Sequence, residues 1–231
     1  MSVESLELET GHWMLRIVPQ VPGDRPVRLL CIGAHSDDIE IGCGGTVATW
    51  LDSWSAVEVT WVVLSAAGER AAEARRSATA LLRRAAGLQL VLTEFRDGFL
   101  PAQYADVKQH FELLKRQVDP DIVLTPALED RHQDHRLAAE LTWNTWRDHL
   151  IYEYEIPKYE GDLGRPNLYL PVPARIAKRK LAHLERHFGS QRARTWFRAE
   201  NFEALMRLRG LECRSPSGFA EAFHGRKLVL G

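Results

Sequence analysis

The stretch VRLLCIGAHSDDIEIGCGG, residues 27–45, decides how this chain is read. Its first eight residues, Val27–Ala34, form an apolar run of the kind found in strands buried on both faces, as in parallel sheets. The run leads straight into His35, two adjacent carboxylates (Asp37 and Asp38) and a turn through Gly42, Gly44 and Gly45. Ligands of open parallel sheets sit beyond the carboxyl ends of the strands. A histidine and two carboxylates placed there point to chemistry.

Working outward, the pattern alternates. Gly42–Trp54 reads as a helix and Val57–Leu64 (VEVTWVVL) as a β-branched strand. Glu69–Ala86, rich in Ala, Arg and Leu, reads as a helix, with Gly87 as the residue that closes it. Leu88–Phe95 is a third strand, Gln103–Gln117 a helix and PDIVLTP (120–126) a short buried strand. A further helix is expected from about Asp134 to Leu150. Strands alternating with helices predict an α/β fold: a Rossmann-like, mainly parallel sheet flanked by helices and joined by right-handed crossovers.

After Ile151 the pattern changes. YEIPKYEGDLGRPNLYLPVP (154–173) carries four prolines and two glycines and reads as a looping excursion. Ala174–His187 is a basic helix, Glu200–Arg209 another that Gly210 closes, and FHGRKLVL (223–230) a final strand. We expect a single domain over 1–231, with a core of about 27–150 and a C-terminal elaboration of about 151–231. The first 26 residues are poorly patterned, ending in a loop, PQVPGDRP (19–26).

Composition bounds the function. The chain has 231 residues, 45% hydrophobic and 26% charged, ordinary for one globular unit. Its net charge of −1 gives no field for nucleic acid. The charge is uneven: residues 165–231 hold 14 Lys and Arg against 5 Asp and Glu, leaving 16 against 26 in the preceding 164. A basic end beside an acidic one suits an anionic ligand, a docked face or a solvated helix surface. Three cysteines, an odd number without C-x-x-C spacing, argue against a disulfide scaffold and for a reducing compartment, so we expect the cytoplasm. MSVESLELET lacks the apolar core of a secretory signal. No run of 18 apolar residues predicts an integral membrane segment. Peripheral membrane contact and a homo-oligomer stay open.

A second polar cluster, Asp130-Arg131-His132-Gln133-Asp134-His135, follows the PDIVLTP strand. Both clusters can face one crevice. Together they offer His35, Asp38 and His135 as metal ligands. Two imidazoles and a carboxylate suit Zn2+, and equally Fe2+ or another divalent transition metal. Adjacent carboxylates point apart, so with Asp38 on the ion, Asp37 can face a water and act as general base. His132 can stabilise charge gained in amide cleavage, and Asp134 can orient a histidine through its second ring nitrogen. The plainer readings are a helix cap for the Asp pair and a small buried hydrophobe for Cys43. The glycines do not form G-x-G-x-x-G, since Val47 stands at the third position, which speaks against a nucleotide-binding Rossmann module.

AHSDDIEIGCGGT (34–46) followed by HQDH (132–135) resembles the PIG-L/LmbE-like family of metal-dependent N-deacetylases, which pairs A-H-P-D-D-x-E with a later H-x-D-H. The resemblance covers about residues 27–150 and implies an LmbE-like fold. It implies zinc ligation by His35, Asp38 and His135, base catalysis by Asp37, intermediate stabilisation or amine protonation by His132, and support from Asp134. Arg70 and Glu73 in GERAAEA resemble a substrate-side Arg-x-x-Glu pair, and Asp97 in RDG a loop that touches sugar hydroxyls. Ser36 departs from the usual proline, giving up a fixed φ but no ligand. Ile39 falls at a variable position. Residues 152–173 look like the variant of family members tied to bacterial glycan pathways. The implied partner is a small N-acetylated substrate: an amino sugar or glycoside, free, nucleotide-linked or lipid-linked. Arg175, Lys178, Arg179 and Lys180 could hold its phosphate. The alternatives are an amidase for a non-sugar amide, such as a thiol conjugate, and a metal-binding module without turnover.

Overall fold

The structure is a computed structural model that describes Pro19 and residues 23–229. The expectations for residues 1–18 and 20–22, and the end of the final strand at Leu230, lie outside the described residues. The element order is β1 (Val27–His35), α1 (Asp38–Ser53), β2 (Val57–Ser65), α2 (Gly68–Leu81), β3 (Gly87–Leu92), α3 (Tyr104–Gln117), β4 (Ile122–Pro126), α4 (Gln133–Thr145), β5 (Leu150–Tyr154), β6 (Leu168–Pro171), α5 (Ala174–His187), α6 (Ala199–Glu212) and β7 (Ala220–His224).

The strands form one sheet in the order β3-β2-β1-β4-β5-β7-β6. The first five are parallel, and β7 and β6 add an antiparallel edge. After β1 the chain builds outward to β2 and β3, then returns to place β4 on the other side of β1. The order therefore reverses between β1 and β4, and the crevice above their carboxyl ends is where such sheets bind ligands. Strand β1 is central and buried on both faces. Leu29 and Cys31 join the layer containing Ile39, Val47 and Trp61. Leu30, Ile32 and Ala34 join the layer containing Phe111, Leu137 and Leu141. The period of two in a strand sends alternate residues to the two layers.

Several boundaries differ from the sequence pattern. Helix α1 starts at Asp38, four residues before Gly42, because the turn after β1 is tight. Its glycines serve close packing. A Cβ on Gly42 would run into the Tyr154 ring of β5, and one on Gly45 would sit 2.8 Å from the Glu221 carboxylate of β7. Helix α2 ends at Leu81, and Gly87 opens β3 instead of closing the helix. By Ala86 the backbone already bonds to the sheet, its N–H donating to Val57 at 2.7 Å. Helix α4 stops at Thr145, which frees Leu150–Tyr154 to pair with β4. The excursion contains β6. Only Phe223 and His224 of the expected last strand are in β7. Gly210 lies inside α6, where the Gly218 carbonyl leaves no room for a Cβ.

Candidate active site

His35 is the last residue of β1, and Asp38 the first of α1. The Asp38 carboxylate accepts the His35 backbone N–H through Oδ2 at 2.8 Å, which closes the turn and sets this carboxylate beside the His35 ring. Asp37 occupies the N-cap position of α1, yet its side chain caps nothing. Its Oδ1 accepts from Arg70 Nη2 at 2.6 Å, and its Oδ2 is buried without a partner. The helix-cap reading of the Asp pair therefore fails for Asp37.

The second cluster follows β4. Asp130 accepts the His132 N–H at 2.7 Å through Oδ1 and lies 2.9 Å from His135 Nδ1 through Oδ2. His132 is the N-cap of α4, and its Nδ1 accepts the Asp134 N–H at 3.3 Å. A ring nitrogen that accepts an amide proton carries none, so the neutral His132 ring holds its proton on Nε2. Asp134 is fully buried. It accepts the N–H groups of Gly98 (2.7 Å) and Leu100 (3.0 Å) and lies 3.3 Å from His35 Nε2. Its carboxylate thus supports His35 and the loop carrying Asp97, and its backbone N–H, not its carboxylate, is what bonds the ring of His132.

The two clusters converge. His35 Nδ1 lies 3.1 Å from His135 Nε2, His135 Nε2 lies 3.3 Å from Asp38 Oδ2, and His35 Nδ1 lies 3.5 Å from the same oxygen. Ligand atoms about 2.0–2.2 Å from a tetrahedral zinc are about 3.3–3.5 Å apart, so the triangle has the size the ion requires. The remaining ring nitrogens are occupied: His35 Nε2 by Asp134 and by Asp97 Oδ1 at 3.2 Å, His135 Nδ1 by Asp130. Metal-binding histidines are characteristically held this way. The His132 ring is also close, with the nitrogens of His35, His132 and His135 lying within 4.8 Å of one another.

The electrostatics favour a cation. Burial alone would lower both imidazoles. The carboxylates outweigh it, holding His35 well above its usual range and pushing His135 up to about 9. Asp38 stays well below the carboxylate range despite its burial, because two imidazoles face it. Burial raises Asp37, against the opposing pull of Arg70. Burial and its two neighbouring histidines lower His132.

The other sequence candidates divide. Asp97 is exposed, at 76% of its side chain, beside His35. Arg70 sits on Asp37. Glu73 is buried, and both its oxygens accept from Ser190, through N–H at 2.8 Å and Oγ at 2.6 Å. The structure does not bring Glu73 to the opening. Nor is Lys180 free for a phosphate: it is buried, donating to Glu221 at 2.6 Å and to the Ile41 carbonyl at 2.5 Å. Arg175 and Arg179 reach Asp52 instead. Asp130 received no separate role from the sequence, although it stands two residues before His132. Lys158 and Ser190 gave no local signal at all.

A sequence model of the PIG-L family, described as GlcNAc-PI de-N-acetylase, matches residues 30–146. The chain belongs to this family. Its activity class is that of enzymes that remove N-acetyl groups. The N,N'-diacetylchitobiose deacetylase of Pyrococcus horikoshii is similar in structure, with a TM-score of 0.65 at 20% identity, covering 86% of this chain and 83% of that one. The zinc-inhibited form of the teicoplanin deacetylase Orf2 gives 0.64 at 15%, covering 86% and 97%. GalB of Pseudomonas putida, a 4-carboxy-2-hydroxymuconate hydratase, gives 0.69 at 18%, covering 89% and 98%. At these identities the likeness shows the fold, which is also that of a PIG-L chain. Among the described residues no helix is long and apolar enough to cross a membrane.

Proposed function

We propose that this PIG-L chain is a zinc-dependent N-deacetylase of an amino sugar or a related glycoside. The observation that carries the reading is the triangle of His35 Nδ1, Asp38 Oδ2 and His135 Nε2, with the unpartnered Asp37 Oδ2 buried beside it. Those three atoms would hold the ion, and a bound Zn2+ would supply Lewis acidity to an amide carbonyl and to water. Fe2+ suits the same donors.

The chain's own groups do the rest. Arg70 pins Asp37 Oδ1, so Oδ2 is the oxygen that takes a proton from the attacking water. As the acetyl carbon becomes tetrahedral, its oxygen gains charge, and the Nε2–H of His132 donates to it. The C–N bond then breaks, and the proton on Asp37 Oδ2 passes to the nitrogen. Acetate and a free amine leave. Asp134 keeps His35 and the 97–100 loop in place, and exposed Asp97 offers an acceptor to sugar hydroxyls. The substrates named for the chitobiose and teicoplanin deacetylases support an amino sugar. The three cysteines are unpaired, in keeping with a reducing cytoplasm.

The test is acetate release from N-acetylated sugars, free and nucleotide-linked, beside non-sugar amides. Asp37→Ala is expected to lower turnover by roughly a hundred- to ten-thousand-fold while metal uptake stays stoichiometric. Release from non-sugar amides alone would move the function to the other amidase class. A wild-type protein that binds no metal would overturn the reading.

A further inference from the structure

Lys158 lies in the excursion after β5, far in sequence from either cluster, yet its side chain is only 8% exposed. Its Nζ donates to Asp130 Oδ2 at 2.8 Å, to Asp162 at 2.9 and 3.2 Å, and to the Ile156 carbonyl at 3.4 Å. Asp130 Oδ2 is the same oxygen that meets His135 Nδ1. Asp162 also accepts the Arg131 N–H at 2.7 Å, which ties the excursion to the loop bearing the second cluster. A buried ammonium needs a carboxylate partner, and Asp162 already supplies one. The second bond, to Asp130, fixes the carboxylate that orients a ring of the metal triangle.

We infer that Lys158 is a positioning residue of the metal centre: its bond to Asp130 Oδ2 holds that oxygen in line with His135 Nδ1 and so aims His135 Nε2 at the ion. This rests on the reading of His135 as a ligand. The ammonium has three protons and spreads them over Asp130, Asp162 and the Ile156 carbonyl, so its own direction is fixed. With the ammonium gone, Asp130 Oδ2 keeps only the histidine and can swing about the anchored Oδ1. The ligand that His135 presents then loses its fixed direction, while the ring itself stays.

The experiment is a cobalt(II) titration of the apo-protein, read by its visible absorption, together with zinc affinity measured against a chromogenic chelator. Lys158→Met is expected to weaken both metals about tenfold, the lower end of what loss of an outer partner costs, and to shift the cobalt band. Lys158→Arg, which can reach the same oxygen, is expected to restore most of the affinity. Tyr159→Phe is the control for anchoring of the excursion, since it removes the Tyr159–Thr195 bond and leaves every Lys158 contact in place, and it is expected to bind metal as wild type does. Unchanged affinity and an unchanged band in Lys158→Met would overturn the inference. So would an equal loss in Tyr159→Phe, which would assign the effect to the anchoring of the excursion. Absence of metal binding in the wild type would instead overturn the proposed function.

Discussion

Strand β1 encloses Leu29, Leu30, Cys31, Ile32 and Ala34, whereas β7 buries Glu221 among Ala220, Ala222 and Phe223, and β5 buries Glu153 beside Tyr154. The same contrast runs through the chain. Residues 27–146 are joined mainly by apolar layers on the two faces of the sheet. The last third is laced internally by enclosed ion pairs, Lys180 with Glu221 and Arg209 with Glu155. It meets the first part through apolar residues such as Phe188 and Phe223, through Glu221 on the Gly45 and Thr46 N–H groups, through Lys180 on the Ile41 carbonyl, and through the buried pair of Lys158 with Asp130. Arg226 adds a pairing with the fully buried Glu153. Much of the positive charge after residue 165 is therefore turned inward or onto carboxylates. The difference teaches that an attached edge can be located by paired charge, where geometry is specific, and a sheet centre by apolar area, where it is not.

The sharpest way to break that contrast is Glu221→Ala. Glu221 accepts from the Gly45 N–H (2.8 Å), the Thr46 N–H (2.6 Å) and Lys180. Its loss leaves the buried Lys180 ammonium with the Ile41 carbonyl but no carboxylate, which costs about 3–5 kcal/mol. Urea unfolding should show a lower midpoint and an unfolding free energy reduced by that amount. Adding Lys180→Met removes the orphaned charge and should recover part of the loss, because an apolar replacement of a whole buried pair is often tolerated. A single substitution costing less than about 1 kcal/mol, the range of a surface pair, would mean that the last third is not held by its buried charges.

The same contrast explains what was legible. The β1, β2 and β4 runs and the alternation around them are apolar enough to show a parallel sheet from the sequence. His35, Asp37, Asp38, His132 and His135 stand out as candidates in the sequence because the residues of each cluster fall within a few positions of one another at a strand end. Strands β5 and β7 do not stand out, because Glu153 and Glu221 interrupt the apolar pattern that marks a strand, and their partners lie tens of residues away. For Glu73 the sequence shows only a resemblance to a substrate-side Arg-x-x-Glu pair, and the fold adds a partner no local pattern shows: Ser190 of a remote turn donates to both carboxylate oxygens. Lys158 lies 23 positions beyond His135, and only the folded excursion brings it to Asp130.

His183 of α5 faces Ser77 of α2, with its Nε2 2.7 Å from the hydroxyl, at the seam between the two regions. Burial, with His187, Arg186 and Arg179 nearby, lowers it from 6.5 to about 4. Between those values the unfolded chain binds a proton that the folded chain refuses. The contribution is complete above pH 6.5, and stability falls as pH drops towards about 4. The whole effect is at most about 3 kcal/mol. Melting temperature followed from neutral pH down to about pH 4 should decline less steeply in His183→Gln than in wild type. Parallel curves would show that this seam carries no proton linkage.

A smaller effect, present at every pH, comes from Gly42→Ala, where α1 of the apolar region meets β5 of the charged one. The added methyl would collide with the enclosed Tyr154 ring. That ring cannot turn away freely, because its hydroxyl donates to the Ile32 carbonyl of β1 at 2.6 Å. Overpacking of this kind costs about 1–3 kcal/mol. The informative comparison is a double-mutant cycle with Tyr154→Leu, which removes both the ring edge and the hydroxyl bond. If the collision is the whole cost, Gly42→Ala should be nearly neutral in the Tyr154→Leu background. An undiminished cost there would place the penalty in the helix itself. Since α1 also carries Asp38 at its first turn, cobalt binding in the Gly42→Ala protein would then report whether strain at the seam reaches the metal triangle one turn away.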